Sequence, residues 1–377
     1  MRRELTADRH IPYAAHVAAE IVRTTLGDYL QVFRLGGISF ESADFERLNV
    51  LYERRNVLWR NLAGPGIALW THTIRRRECV AESADGAAGF GAALHAKYRR
   101  RLAGEILMVN EVYLAVLYRP ASGRAAGLVS RAISRFRPAS CRLETADAVD
   151  ACRKIAQTLR ASLAAYEPES LRCYEHSGRW HSSLLEYLAL LVNGERQRMP
   201  LPRGPLSAAI ATTRLCFGGE TVEYRLPTGT RVGAMLGIKE YPTPTVAGML
   251  DRLLSARFAF VLTHSFAFLS KASAQALLTR QINRMANAGD FAVSQAEELG
   301  EALDALTSNE FVMGDHHFTL QVLADPDEVP EGRAEAERLR TLNDCVAQAR
   351  AILGDAGVTV AREDLALEAA FWAQLPG

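Results

Sequence analysis

The sequence predicts an α+β fold built as two related sheet-and-helix subdomains of split βαβ, ferredoxin-like type, over residues 1–195 and 207–377. Three observations carry this reading. Apolar runs of strand length alternate with amphipathic stretches of helical period along the chain. Each half reads strand, helix, strand, helix, strand, long helix, strand, as a degenerate duplication would. The second strand of each half holds a Thr-His pair, Thr71-His72 and Thr263-His264. Between the halves, "RQRMPLPRGPLS" places Pro200, Pro202 and Pro205 close together. Proline removes amide donors and stiffens the chain, so residues 196–206 are expected to be a linker.

"EIVRT" and "LGDYLQVFRLGG" read as the first strands, reversing at Gly27-Asp28. A helix capped by Ser42 follows, with Phe45, Leu48, Tyr52 and Trp59 at helical spacing. "GIALWTHTIRRR" is a strand, and a helix covers Leu94–Leu102. "LMVNEVYLAVLYRP" is apolar on both faces, so it is expected at the centre of the sheet. Residues 121–142, rich in Gly, Ser and Arg, read as a flexible loop or a marginal basic helix. "DAVDACRKIAQTLRASL" is helical, "ESLRCYEH" a strand and "SSLLEYLALLVN" a helix. In the second half, "TTRLCF" and "TVEYRL" flank a Gly218-Gly219 turn. "TRVGAMLGIKEY" and "RFAFVLTHSFAFL" are strands separated by a helix at "TVAGMLDRLL". Helices at Ala272–Met285 and Gln295–Leu306 precede the strand "HHFTLQVLAD", with Phe318, Leu320 and Val322 inward and Thr319 and Gln321 outward. A long helix through Leu339, Leu342, Val346, Ala349 and Leu353 leads to the last strand, "GVTVARE".

The chemistry is sparse. A net charge of +1 gives the whole chain no electrostatic preference for nucleic acid or anionic lipid. Six cysteines without C-x-x-C or zinc-like spacing read as free thiols of a reducing compartment. No apolar run reaches the ~18 residues of a membrane span, and the start lacks the apolar core of a signal peptide, so the chain is expected to be cytoplasmic. G-x-x-x-x-G-K-[ST], H-E-x-x-H and G-x-S-x-G are absent. No catalytic, cofactor-binding or metal-binding residue is therefore nominated. His72 and His264 read as hydrogen-bonded core residues. His316 and His317, adjacent on a strand, point to opposite faces and would not chelate one metal.

Two arginine triplets stand out. Arg75, Arg76 and Arg77 end an apolar strand, and Arg99, Arg100 and Arg101 end a helix. They read either as a solvated face with cations near a helix C-terminus or as a basic edge for acidic partners or lipid headgroups. "RFAFV" at Arg257–Val261 echoes an RNA-recognition signature but lacks its glycine and has Thr263 at the final aromatic position, while a core explains Phe258, Phe260, Phe266 and Phe268, which share one face. A nucleic-acid-binding module using a βαβ sheet and Arg clusters is thus the alternative reading. The chain closes on "LEAAFWAQLPG", an apolar run that either tucks into the core or marks a cut from a longer chain.

"HIPYAAHV", "GDYLQVFRLGG", "LWTHTIRRR", "LMVNEVYLAVLYRP" and "AAFWAQLPG", in this order, resemble the N-terminal region of the large ATPase of bacterial type IV secretion systems, the CagE/TrbE/VirB family. The resemblance implies a non-catalytic assembly domain placed ahead of a motor that holds ATP and Mg. It also implies docking on inner-membrane components at the cytoplasmic face of the bacterial inner membrane, and self-association as a hexamer through the motor. Support for channel and pilus assembly and for transfer of protein or DNA follows from the same likeness, with no small-molecule ligand in this stretch. Phe371, Trp372 and Leu375 would then lie at the junction to the motor.

Overall fold

A computed structural model of the chain describes residues 6–38, 44–78, 89–103, 105, 107–120, 138–227, 229–242, 245–288, 293–324 and 335–377. In chain order the first half holds β1 (Tyr13–Ala18), β2 (Ile21–Thr24), β3 (Tyr29–Leu35), α1 (Phe45–Leu62), β4 (Ile67–Glu78), α2 (Phe90–Ala103), β5 (Leu107–Tyr118), α3 (Pro138–Ser162) and β6 (Pro168–Ser170). Then come β7 (Cys173–His176), β8 (Arg179–Ser182), α4 (Ser183–Asn193) and the short α5 (Leu206–Ile210). The second half holds β9 (Arg214–Phe217), β10 (Val222–Leu226), β11 (Gly229–Glu240), β12 (Ala259–Phe268), α6 (Lys271–Ala288), α7 (Val293–Thr307), β13 (Gly314–Ala324), α8 (Glu335–Asp355), β14 (Thr359–Arg362) and α9 (Leu367–Trp372).

Twelve strands form one sheet, ordered β1-β2-β3-β5-β4-β12-β13-β11-β10-β9, with β6 added to β3 and β14 to β11. β7 and β8 pair separately. The halves correspond strand for strand. Outward from the centre, β4, β5, β3, β2 and β1 mirror β12, β13, β11, β10 and β9. The centre is the β4–β12 pair, where the two Thr-His pairs meet: Thr263 lies opposite His72 and His264 opposite Thr71. A short repeat in the sequence thus marks the middle of the sheet.

Both faces of the sheet are covered. On one, α1 and α3 bury Leu58, Leu62 and Leu159, joined by Leu163 just past α3, against Phe33, Leu114 and Val116 of the first half. On the same face of the second half, α8 buries Leu342, Val346, Ala349 and Leu353 against Leu236, Phe260, Leu320 and Val322. The other face carries a single core cluster drawn from both halves, with α4 at its heart. Every residue of α4 from Leu184 to Val192 except Glu186 is an apolar or aromatic residue, and a helix apolar all round must be buried all round. The Ser182 hydroxyl caps its N-terminus, accepting from Leu185 N 3.2 Å away, and Gly194, at φ 74°, ends it in the left-handed region. Asn193 is fully buried yet satisfied: Nδ2 donates to Ile210 O, and Oδ1 accepts from the amides of Thr212 and Thr213. Met199 and Leu206, from the proline-rich 196–206 stretch, join the same cluster.

Several expectations change. Thr319 and Gln321, expected outward, are each 1% exposed because the α4 side of the sheet is covered too. Gln321 Nε2 meets its need for a partner by donating to the Tyr224 hydroxyl. "TVAGMLDRLL" supplies only a turn and a 3-10 segment, Asp251–Ser255, since Gly248 at φ 82° interrupts it. The strand β1 was hidden by its small residues, "YAAHVA". "ESLRCYEH" divides into β6 and β7. The α1 N-cap position is Asp44; Ser42 and most of the 121–142 stretch lie outside the described residues.

Candidate junction and docking surfaces

The C-terminal segment docks on the α4 side of the sheet. Phe371 is 2% exposed and packs edge-on against Phe217 of β9, with ring centroids 5.3 Å apart, and against Tyr224 of β10. Leu375 is buried beside it. Trp372 is only partly covered, and its indole stacks on His10 at 5.0 Å with planes 11° apart. Glu368 lies 3.6 Å from His10 and accepts from Trp372 Nε1 at 3.4 Å. A cleft of about 870 Å³ opens here, walled by Asp8 and His10, by β9, and by Glu368 and Trp372. The edge strand β9 and the turn leading into β1, opposite ends of the strand order, thus border one opening.

His72 ties this segment to the centre of the sheet. It is fully buried, Nδ1 accepts from the Tyr187 hydroxyl of α4 at 2.7 Å, and Nε2 donates to the Gln374 carbonyl at 2.9 Å. A carbonyl can only accept, which sets the tautomer. Burial brings the imidazole pKa down to about 4, against the opposing pull of the Gln374 carbonyl. His264, on the other face, is likewise lowered to about 4 by burial and by His316, whose Nε2 is 3.1 Å from its Nδ1. Both histidines are hydrogen-bonded members of the fold. The described residues contain no group of three or more His, Cys, Asp or Glu placed to hold a metal. Of the cysteines, Cys152, Cys173, Cys216 and Cys345 are free thiols, and burial pushes Cys152 up to about 12; Cys79 lies outside the described residues, as does the Cys141 side chain.

The arginine triplets have different surroundings. Arg75 is 8% exposed; its Nε donates to Ala256 O and Nη1 to Asn110 Oδ1, bracing β4 against the turn before β12. Arg76 pairs with Glu78 and with Glu111, a carboxylate whose side chain is 3% exposed. Arg34 and Arg196 face the same carboxylate at 3.6 and 3.3 Å, and Tyr113 donates to it. Burial would raise the Glu111 pKa, but Arg76, Arg196 and Arg34 together outweigh it and hold it below the usual range. Arg77 is half-buried. Arg100 and Arg101 are exposed on α2, with Arg99 partly covered. Charge reversal therefore separates the triplets. Arg75→Glu would bury an unpaired carboxylate facing a carbonyl, and is expected to cost about 3 kcal/mol or more in urea denaturation. Arg100→Glu with Arg101→Glu is expected to stay within about 0.5 kcal/mol per site.

Two family models match. One, described as the CagE, TrbE, VirB family, component of type IV transporter system, covers residues 169–377, more than half of the chain. The chain belongs to the CagE/TrbE/VirB family. The second model, the N-terminal domain of the type IV secretion system ATPase VirB4/TrbE, covers residues 20–125. The chain is 39% identical over 380 residues to the type IV secretion system protein virB4 of Bartonella quintana, covering 100% of this chain and 47% of that protein. Protein virB4 of Agrobacterium tumefaciens is 34% identical, over 99% of this chain and 46% of its own. PtlC of Bordetella pertussis, another type IV secretion system protein, is 35% identical over 100% of this chain and 44% of its own. The chain thus spans just under half the length of these relatives. Among the described residues no helix is long and apolar enough to cross a membrane.

The structure brings Phe371, Trp372 and Leu375 into one docked segment, and it separates the two arginine triplets. Sequence reading missed His72 as the anchor of that segment, and it missed Glu111 as the shared partner of Arg34, Arg76 and Arg196. An acidic residue inside the apolar run "VNEVYLAV" was the available signal for the second.

Proposed function

We propose that this chain is the non-catalytic assembly region of a type IV secretion ATPase. It holds the motor against inner-membrane components at the cytoplasmic face and supports channel and pilus assembly and the transfer of protein or DNA. The motor that binds ATP and Mg, and forms the hexamer, belongs to the remainder of the whole protein. Each half is read as a split βαβ unit of ferredoxin-like type, supported by the strand orders β6-β3-β5-β4 and β14-β11-β13-β12.

The observation that carries the proposal is the docked C-terminal segment. Phe371 is seated in the shared core, and the Gln374 carbonyl is bonded to His72 at the sheet's centre. A segment held this way passes force into the whole sheet, which is what an adaptor between motor and membrane complex requires. The nucleic-acid alternative has lost its stacking platform, since Phe258, Phe260 and Phe268 are core residues. The purified chain is expected to capture detergent-solubilised inner-membrane components of its secretion system and to hydrolyse no ATP above background. Magnesium-dependent turnover by this chain alone, or failure to retain any of those components, would contradict the proposal.

A further inference from the structure

The helix α2 leaves a large apolar stripe in solvent. From Gly89 to Arg101 every residue except Ala92 and Arg99 is exposed. Phe90, Leu94 and Tyr98 are 83%, 57% and 59% exposed. At spacings of four they line one side of the helix. Single exposed apolar residues are ordinary, but three aligned large ones are not. With 3.6 residues per turn, Lys97 and Arg101 fall beside this stripe, and Arg100 lies further round. The helix sequence, "FGAALHAKYRRRLA", carries four cations and no carboxylate.

We infer that α2 is the membrane-contacting element of this chain, lying flat in the headgroup region of an anionic lipid surface. The inference rests on the inner-membrane reading above and names the element that makes the contact. An apolar stripe bordered by Lys and Arg suits the boundary between acyl chains and anionic headgroups: the rings enter the apolar layer and the cations meet the phosphates. Long basic side chains can bury their methylenes while their charged ends reach outward. The lack of acidic residues in the helix removes the repulsion that anionic lipid would otherwise impose. At 14 residues the helix is about 21 Å long and charged, too short and too polar to span the ~30 Å hydrocarbon core. It therefore lies on the bilayer. The first triplet has no such role at Arg75, which is turned into the fold, so the contact falls to Lys97, Arg100 and Arg101.

Flotation of the whole chain with vesicles tests this. Vesicles of pure phosphatidylcholine are compared with vesicles containing a third phosphatidylglycerol, at low and at high salt. The chain is expected to float with the anionic vesicles at least about tenfold more than with the neutral ones, and to lose the difference at high salt. Phe90→Ser with Leu94→Ser removes two of the three apolar residues of the stripe, and Arg100→Glu with Arg101→Glu reverses the charge beside it. Each pair is expected to reduce flotation at least about tenfold. These side chains are in solvent, so unchanged thermal melting verifies that the fold survives. No flotation of the unsubstituted chain, or undiminished flotation of both folded variants, overturns the inference. Capture of inner-membrane components in detergent is read separately and contains no bilayer. If capture persists while flotation is absent, only the lipid contact is wrong, and α2 then meets a protein; loss of capture strikes the assembly reading itself.

Discussion

Phe371→Ala is expected to destabilise the chain by about 3–5 kcal/mol, the usual cost of deleting a fully buried phenylalanine. The ring is 2% exposed and touches Phe217, Tyr224 and Trp372, with centroids 5.3, 6.2 and 4.9 Å away. Phe217 and Tyr224 come from β9 and β10, which are anchored by their strand pairing, so they cannot collapse into the space left behind. The loss is therefore transfer energy plus a cavity. Trp372→Ala is the matched control. Its indole is only partly covered and stacks on His10 at the cleft, so about 1 kcal/mol or less is expected. Urea denaturation of both variants checks the contrast. Equal losses would mean that the surface stack holds the segment as strongly as the buried ring does, against this expectation.

Stability is also expected to fall as pH drops from about 6.5 to about 4, with His72 contributing about 3 kcal/mol. The sign follows from linkage. The folded pKa, about 4, lies below the ordinary value of 6.5, so between them the unfolded chain binds a proton that the folded chain refuses. The contribution is fully present above pH 6.5, fades through the interval and is gone below pH 4. At about 1.4 kcal/mol per pH unit the gap amounts to about 3 kcal/mol. His264 is lowered to about 4 as well, and His16 and His316 are lowered in the same sense, so the native chain's slope is steeper than His72 alone would give. The diagnostic quantity is the difference between the native chain and His72→Gln. Glutamine cannot titrate but can still donate to the Gln374 carbonyl. The variant is expected to be less stable at pH 7, and its curve is expected to flatten over this interval. A variant curve parallel to the native one would show that His72 is not neutral in the fold.

The strands were legible wherever both of their faces are apolar. β5 and β12 announce themselves because a covered strand needs continuous apolar sequence. α4 was recognisable as a helix, but its position was not: "LLEYLALLVN" says buried without saying among what. β1 went unrecognised because alanine and histidine carry little strand signal. Thr319 and Gln321 misled because alternation is a sound guide only when one face meets water. The arginine triplets looked alike in sequence and differ in the fold, since the Arg75 guanidinium sits beside a carbonyl acceptor and is structural, whereas Arg100 and Arg101 lie exposed on α2.

By itself the sequence determined the duplicated order of strands, the covered central strands, the apolar closing segment and the likeness to the CagE/TrbE/VirB family. Those properties are written in local period and composition, which each stretch carries wherever it is placed. Only the tertiary structure decided that the two halves share one sheet through β4 and β12, that His72 reaches Gln374 across 302 positions, and that α2 is left uncovered among the described residues. Such pairings depend on which distant surfaces exclude water from each other, and no local period records that.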